Sequence, residues 1–103
     1  MSPKLHLDRD RIAEFCRRNR IRRLELFGSV LRDDFRPDSD VDILVEFEPG
    51  AKVGLFALVA MTEELEKMLS RKVDLVTRRA IEQSDNYIRR RHILSRLEPV
   101  YVA

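Results

Sequence analysis

Apolar residues recur along this chain with two periods, and each period marks a different kind of element. Ile12, Phe15 and Cys16 share one face of a segment whose other face is filled by arginines, the spacing of an amphipathic helix. Asp8 is a good N-cap for it, Leu7 can staple onto Ile12, and the helix should fade near Asn19. Leu24, Leu26 and Gly28 then alternate with Arg23, Glu25 and Phe27, which predicts a short strand ending at Gly28-Ser29. A polar stretch from Arg32 to Ser39, interrupted by Pro37, leads to the clearest strand, Asp40 to Phe47. Val41, Ile43, Val45 and Phe47 point one way along it, and Asp40, Asp42, Leu44 and Glu46 the other.

Pro49-Gly50 is a turn signal. From Gly54 to Leu69, Leu55, Leu58, Val59, Thr62, Leu65 and Leu69 fall at helical spacing, with Met61 and Met68 as further packing residues. Lys72 to Thr77 reads as a third strand carrying Asp74, Ser84 as the N-cap of a helix running to Ser95, and Pro99 to Val102 as a short closing strand. The order helix, strand, strand, helix, strand, helix predicts an α/β (α+β) fold, a small mixed β-sheet flanked by helices. The short link between the first two strands favours antiparallel pairing there, because a parallel crossover needs a dozen or more residues. With no repeat, low-complexity tract or linker, residues 1–103 are expected to form a single domain.

Composition narrows the function classes. Of the 103 residues 44% are hydrophobic, enough for one core and little more. Charged residues reach 37% but cancel to a net +2, so the balance does not call for nucleic acid, and direct nucleic-acid binding is not expected. Arginines cluster at 17–23, at Arg78-Arg79 and at Arg89–Arg91; such runs are either solvated faces or surfaces that meet an anionic ligand or partner. Cys16 is the single cysteine, which excludes an internal disulfide and reads as a small core residue. The absence of a leader or a long apolar run predicts a soluble cytoplasmic protein. His6 reads as a surface residue, and His92, lacking a spaced partner, as structural.

Three features carry candidate chemistry. Gly28-Ser29 at a strand end is either an ordinary turn or a concave anion site built from successive N–H groups and a hydroxyl. Asp40 and Asp42 lie on one face of a strand with Cα atoms about 7 Å apart. They are either a pair sharing a divalent cation or the inward charge that protects a sheet edge. Asp74 is either a solvent-face aspartate or, if its strand lies beside Asp40–Phe47, a third carboxylate on the same face. Nucleotidyl transfer needs that combination, because it depends on positioning and on neutralising charge at the reacting phosphorus.

Gly28-Ser29, ten intervening residues and Asp40-x-Asp42 resemble the signature of the polymerase-β-like nucleotidyltransferases. Leu26-Phe27-Gly28-Ser29, Arg32, Pro37-Asp38-Ser39-Asp40-Val41-Asp42-Ile43-Leu44-Val45 and Val73-Asp74-Leu75-Val76 are similar to the minimal nucleotidyltransferases of bacteria and archaea. The resemblance extends from the first helix to Pro99-Val100-Tyr101 and implies the polymerase-β-like nucleotidyltransferase fold. It implies that Gly28, Ser29, Arg32 and Ser39 contact the nucleotide, and that Asp40, Asp42 and Asp74 bind two Mg2+ ions. Asp74 would also help to deprotonate the acceptor hydroxyl. Two positions depart from the pattern: Val30 stands where arginine is frequent and Asp33 where glycine is common.

The chain is too short to carry a second domain for an acceptor, so the acceptor is expected on another macromolecule. Minimal members resemble antitoxins that act beside a HEPN ribonuclease toxin, which implies transfer of AMP from ATP to a toxin hydroxyl, on a tyrosine. Tyr87 and the Arg89–Arg91 run belong either to the interface of that complex or to a solvated helix face. Two other readings remain at this point: an antitoxin that neutralises by binding alone, and a catalytic subunit for a small-molecule acceptor.

Overall fold

A computed structural model describes residues 7–28 and 40–103. Helix α1 (Arg9–Arg18) starts where Asp8 accepts a hydrogen bond from the Arg11 N–H and ends at Asn19, as the sequence predicts. Leu7, just ahead of that cap, packs against the core. Strand β1 (Ile21–Phe27) follows, then β2 (Val41–Phe47), α2 (Leu55–Leu69), β3 (Val73–Thr77), α3 (Arg78–Glu82), α4 (Tyr87–Ser95) and β4 (Glu98–Val102).

The strands form one mixed sheet in the order β3-β2-β1-β4. β1 runs antiparallel to both β2 and β4, and β2 runs parallel to β3. The parallel step is made possible by α2, which carries the chain back to the starting end of the sheet.

Each face of the sheet closes its own apolar cluster. Val41, Ile43 and Val45 of β2 join Leu24, Leu26 and Val73 beneath Ile12, Phe15 and Cys16 of α1 and Met61 and Leu65 of α2. On the opposite face Phe27 and Leu44 meet Ile81 of α3 and Ile93 of α4. Glu25 also lies on this side, buried, with its carboxylate 3.6 Å from the half-buried Arg78 guanidinium that opens α3. α1 and α2 are linked across the outer surface by Arg18, whose Nη2 donates to Glu64 Oε2 at 2.6 Å.

The structure departs from the sequence reading in two places. The helix expected from Ser84 to Ser95 starts later, at Tyr87, and a short helix that the sequence reading did not include, α3, precedes it. Thr77 accepts from the Ala80 N–H to cap α3, and Asn86 accepts from the Arg89 N–H to cap α4. Ser84 spends its hydroxyl on the Asn86 N–H in the turn between them, so it cannot serve as the cap itself. The second departure concerns α2. Met61 and Leu65 are buried, but Leu55, Phe56 and Val59 are 74%, 91% and 50% exposed. A helix of 15 residues is about 22 Å long. That is close to the roughly 23 Å spanned by the 7-residue strands, so helix length does not account for the uncovered apolar residues of its first turns.

This difference gives a direct test of where stability resides. Leu65→Ala should cost about 2–5 kcal/mol, because the site is fully enclosed and cannot collapse. Phe56→Ser should leave the chemical-denaturation midpoint nearly unchanged. Cys16 offers a second test: burial pushes its thiol up from 9.0 to about 12, against a weaker lowering by Arg17. The unfolded chain therefore binds fewer protons than the folded one above pH 9, so this group's contribution to stability falls as pH rises from there towards 12. Maleimide should accordingly label Cys16 only in denaturant, and labelling of the folded protein at pH 8 would contradict this packing.

Candidate active site

Strand pairing assembles the site. Phe27, the last residue of β1, lies opposite Asp42, and Asp42 lies opposite Asp74 on the parallel strand β3. Three strand ends therefore meet: the finish of β1 and the starts of β2 and β3. Two hydrogen bonds fix the start of β3. The Val41 N–H donates to the Lys72 carbonyl at 2.9 Å, and the Val73 N–H donates to Glu66 Oε2 of α2 at 3.0 Å. Alternation then puts Asp42 and Asp74 on the face that carries Leu44 and Val76. Neighbouring strands lie about 4.8 Å apart, so the two carboxylates are adjacent, an arrangement that favours a cation between them.

Gly28 completes this floor. Its φ is +75°, in the left-handed region, and a Cβ placed there would overlap the Asp42 carboxylate. The chain can pass this close to Asp42 only because the position has no side chain.

The carboxylates open into a cavity of about 280 Å3 lined by Phe27, Gly28, Asp42, Asp74, Arg89, His92, Ile93 and Arg96. One wall is thus α4 and the residue that caps it. Positions 89, 92, 93 and 96 fall at i, i+3, i+4 and i+7, the periodicity of a single helix face. Sequence reasoning grouped Arg89 with Arg90 and Arg91 as one run and set His92 aside as structural. The signal that separates Arg89 and His92 from their neighbours was the helical spacing that joins them to Ile93 and Arg96, not the local charge density.

Of the other sequence-derived site residues, Asp40 stands one residue ahead of β2 and is exposed, outside the cavity lining. Ser29, Arg32 and Ser39, with the departures at Val30 and Asp33, lie outside the described residues. Among the described residues no three His, Cys, Asp or Glu side chains form a ready-made metal cluster. Magnesium does not require one, since it binds through one or two carboxylates and completes its shell with water and substrate phosphates. Asp42 and Asp74, side by side with hard oxygen donors beside a Gly28 that leaves the space open, fit such an ion.

Residues 9–97 match the nucleotidyltransferase domain. The chain belongs to this family. It is similar to the protein adenylyltransferase MntA of Thermococcus cleftensis, 39% identical over 62 residues that cover 60% of this chain and 61% of that protein. A solved minimal nucleotidyltransferase is 32% identical, with a TM-score of 0.65 over 91% of this chain and 88% of the other. The fold is shared as well with a chain of the complex between the tri-AMPylated Shewanella oneidensis HEPN toxin and its MNT antitoxin. There the TM-score is 0.62 at 20% identity, over 92% of this chain and 70% of that one. The chain spans 61–63% of the length of the first curated relatives it matches. Among the described residues of the nucleotidyltransferase domain, no helix is long and apolar enough to cross a membrane.

Proposed function

We propose that this nucleotidyltransferase domain transfers AMP from ATP to a tyrosine hydroxyl of a HEPN-type toxin and so acts as its antitoxin. The observation that carries the reading is the register of Asp42 against Asp74, two carboxylates on adjacent parallel strands beside a glycine that admits no side chain. The naming of relatives as protein adenylyltransferases supports the same reaction class.

In this reading the acceptor oxygen attacks the α-phosphorus, the bond to the β-phosphate oxygen breaks, and pyrophosphate leaves. Asp42, with Asp40 two residues before it, and Asp74 would hold Mg2+. The ions would neutralise charge on the phosphates and make the acceptor hydroxyl more acidic. Asp74 is exposed at the cavity, where an incoming hydroxyl can reach it and its proton can be taken. Gly28, Ser29, Arg32 and Ser39 would contact the nucleotide, as the resemblance implies. The acceptor is supplied by the partner, and the uncovered strip of Leu55, Phe56 and Val59 is apolar surface of the kind a protein partner covers.

The test is incubation of the complex with labelled ATP and Mg2+. Label should appear on the partner by intact-mass or gel analysis, and on a tyrosine by peptide mapping. Neutralisation of the partner that persists without any label would replace this reading with an antitoxin that works by binding.

A further inference from the structure

The basic residues of α4 are not equivalent. Arg90 is tied down within its own region: its guanidinium lies 5.5 Å from the Tyr87 ring centroid, and its Nη1 donates to the carbonyls of Glu82 and Ser84. Arg91 is exposed and outside the cavity lining. Arg89 and Arg96 line the cavity. Elsewhere Arg18, Arg20 and Arg78 each stand near a glutamate, but among the described residues neither Arg89 nor Arg96 has a carboxylate partner. Among the described residues Arg90 and Arg91 make no ion pair either, so what sets Arg89 and Arg96 apart on this helix is that they line the cavity.

Arg89 stands in the first turn of α4, and Arg96 is the residue that caps its end. Seven residues of helix separate them by about 10 Å. His92, one turn from each, stands between.

A ligand that satisfies both walls must be anionic towards α4 and carry a cation, or accept one, towards Asp42 and Asp74. A metal ion alone would be repelled by the arginines, and a neutral ligand would use neither wall. A polyphosphate meets both requirements, since some of its oxygens can face metal while others accept from guanidinium groups. The cavity's 280 Å3 suits such a group.

We propose that Arg89 and Arg96, with His92 between them, form a phosphate-binding wall that holds the polyphosphate of the nucleotide against the carboxylates and retains pyrophosphate after transfer. This inference rests on the nucleotidyl-transfer reading and adds to it the positions that select a triphosphate.

The experiment measures binding of ATP, inorganic pyrophosphate and adenosine to the full chain by calorimetry. The proteins compared are wild type, Arg89→Gln, Arg96→Gln, the double variant, and Arg91→Gln as a surface control, each first checked for an unchanged thermal melt. Charge-assisted hydrogen bonds of this kind predict about a tenfold loss per arginine for ATP and for pyrophosphate. The loss should be larger in the double variant, with no effect from Arg91→Gln. Adenosine binding should not change. Undiminished ATP and pyrophosphate affinity in the double variant overturns the wall, including the case in which transfer falls through a raised KM for the acceptor. If wild type still transfers label, the wall falls alone. A wild-type chain that binds neither ATP nor pyrophosphate removes the wall and the transferase reading together.

Discussion

Asp42→Asn should reduce nucleotidyl transfer by on the order of a thousandfold or more while leaving the protein folded. The substitution keeps the shape of the side chain and removes the one charge that faces both neighbouring strands of the site: Phe27 closes β1 on one side of it and Asp74 opens β3 on the other. Metal-assisted charge stabilisation at phosphorus supplies several kcal/mol in reactions of this type, and about 4 kcal/mol corresponds to a thousandfold. The side chain's volume and shape are kept, so the variant is expected to remain folded. The checks are label transfer at saturating ATP and a thermal melt without Mg2+. Loss of activity together with loss of structure would mean that Asp42 acts as a scaffold residue. Asp74→Asn should fall in the same direction.

The expectation that Asp42 and Asp74 act together was half legible in the sequence. Alternation along Val41–Phe47 gave the face that Asp42 takes, and Asp74 was placed on a third strand after the helix. What alternation could not supply was the neighbour of that strand. Only the register of β2 against β3 puts Asp42 opposite Asp74 and not two residues away, and register is set by tertiary packing of both faces. The same limit explains α2. Its apolar spacing was read correctly as a helix, but which apolar residues are covered depends on how the helix is placed against the sheet. Leu55 and Phe56 therefore differ from Leu65 in a way no periodicity contains. Around α4 the difficulty was local. Ser84, Asp85 and Asn86 all suit a helix start, and choosing among competing caps requires knowing which side chain is already engaged. Arg89 and His92 were present in the pattern but hidden by the tripeptide run around them, since a cluster in sequence spreads over most of a helix circumference.

Gly28→Ala should be the most damaging change that leaves every charged group in place. Two independent effects act in one direction. The residue holds φ at +75°, where an L-residue is strained by about 1–2 kcal/mol. The added methyl would also occupy the space taken by the Asp42 carboxylate. Either Asp42 turns away from its place beside Asp74 or the end of β1 withdraws from β2. The first response destroys the proposed metal-binding arrangement and the second opens the Phe27 side of the cavity, so activity should fall by at least a hundredfold by either route. Stability separates the routes. Rotation of Asp42 leaves only the backbone strain, a loss of about 1–2 kcal/mol, whereas withdrawal of β1 also exposes Phe27 and should add roughly 2 kcal/mol. Combining Gly28→Ala with Asp42→Ala makes the distinction sharper, because the smaller residue removes the clash. If the clash is the main cost, the double variant should be more stable than Gly28→Ala alone while remaining inactive, and denaturant midpoints of the four proteins in that cycle would measure it. Gly28→Ala with wild-type transfer would show that the chain does not need its close approach to Asp42, and the proposed site would lose its narrowest geometric support.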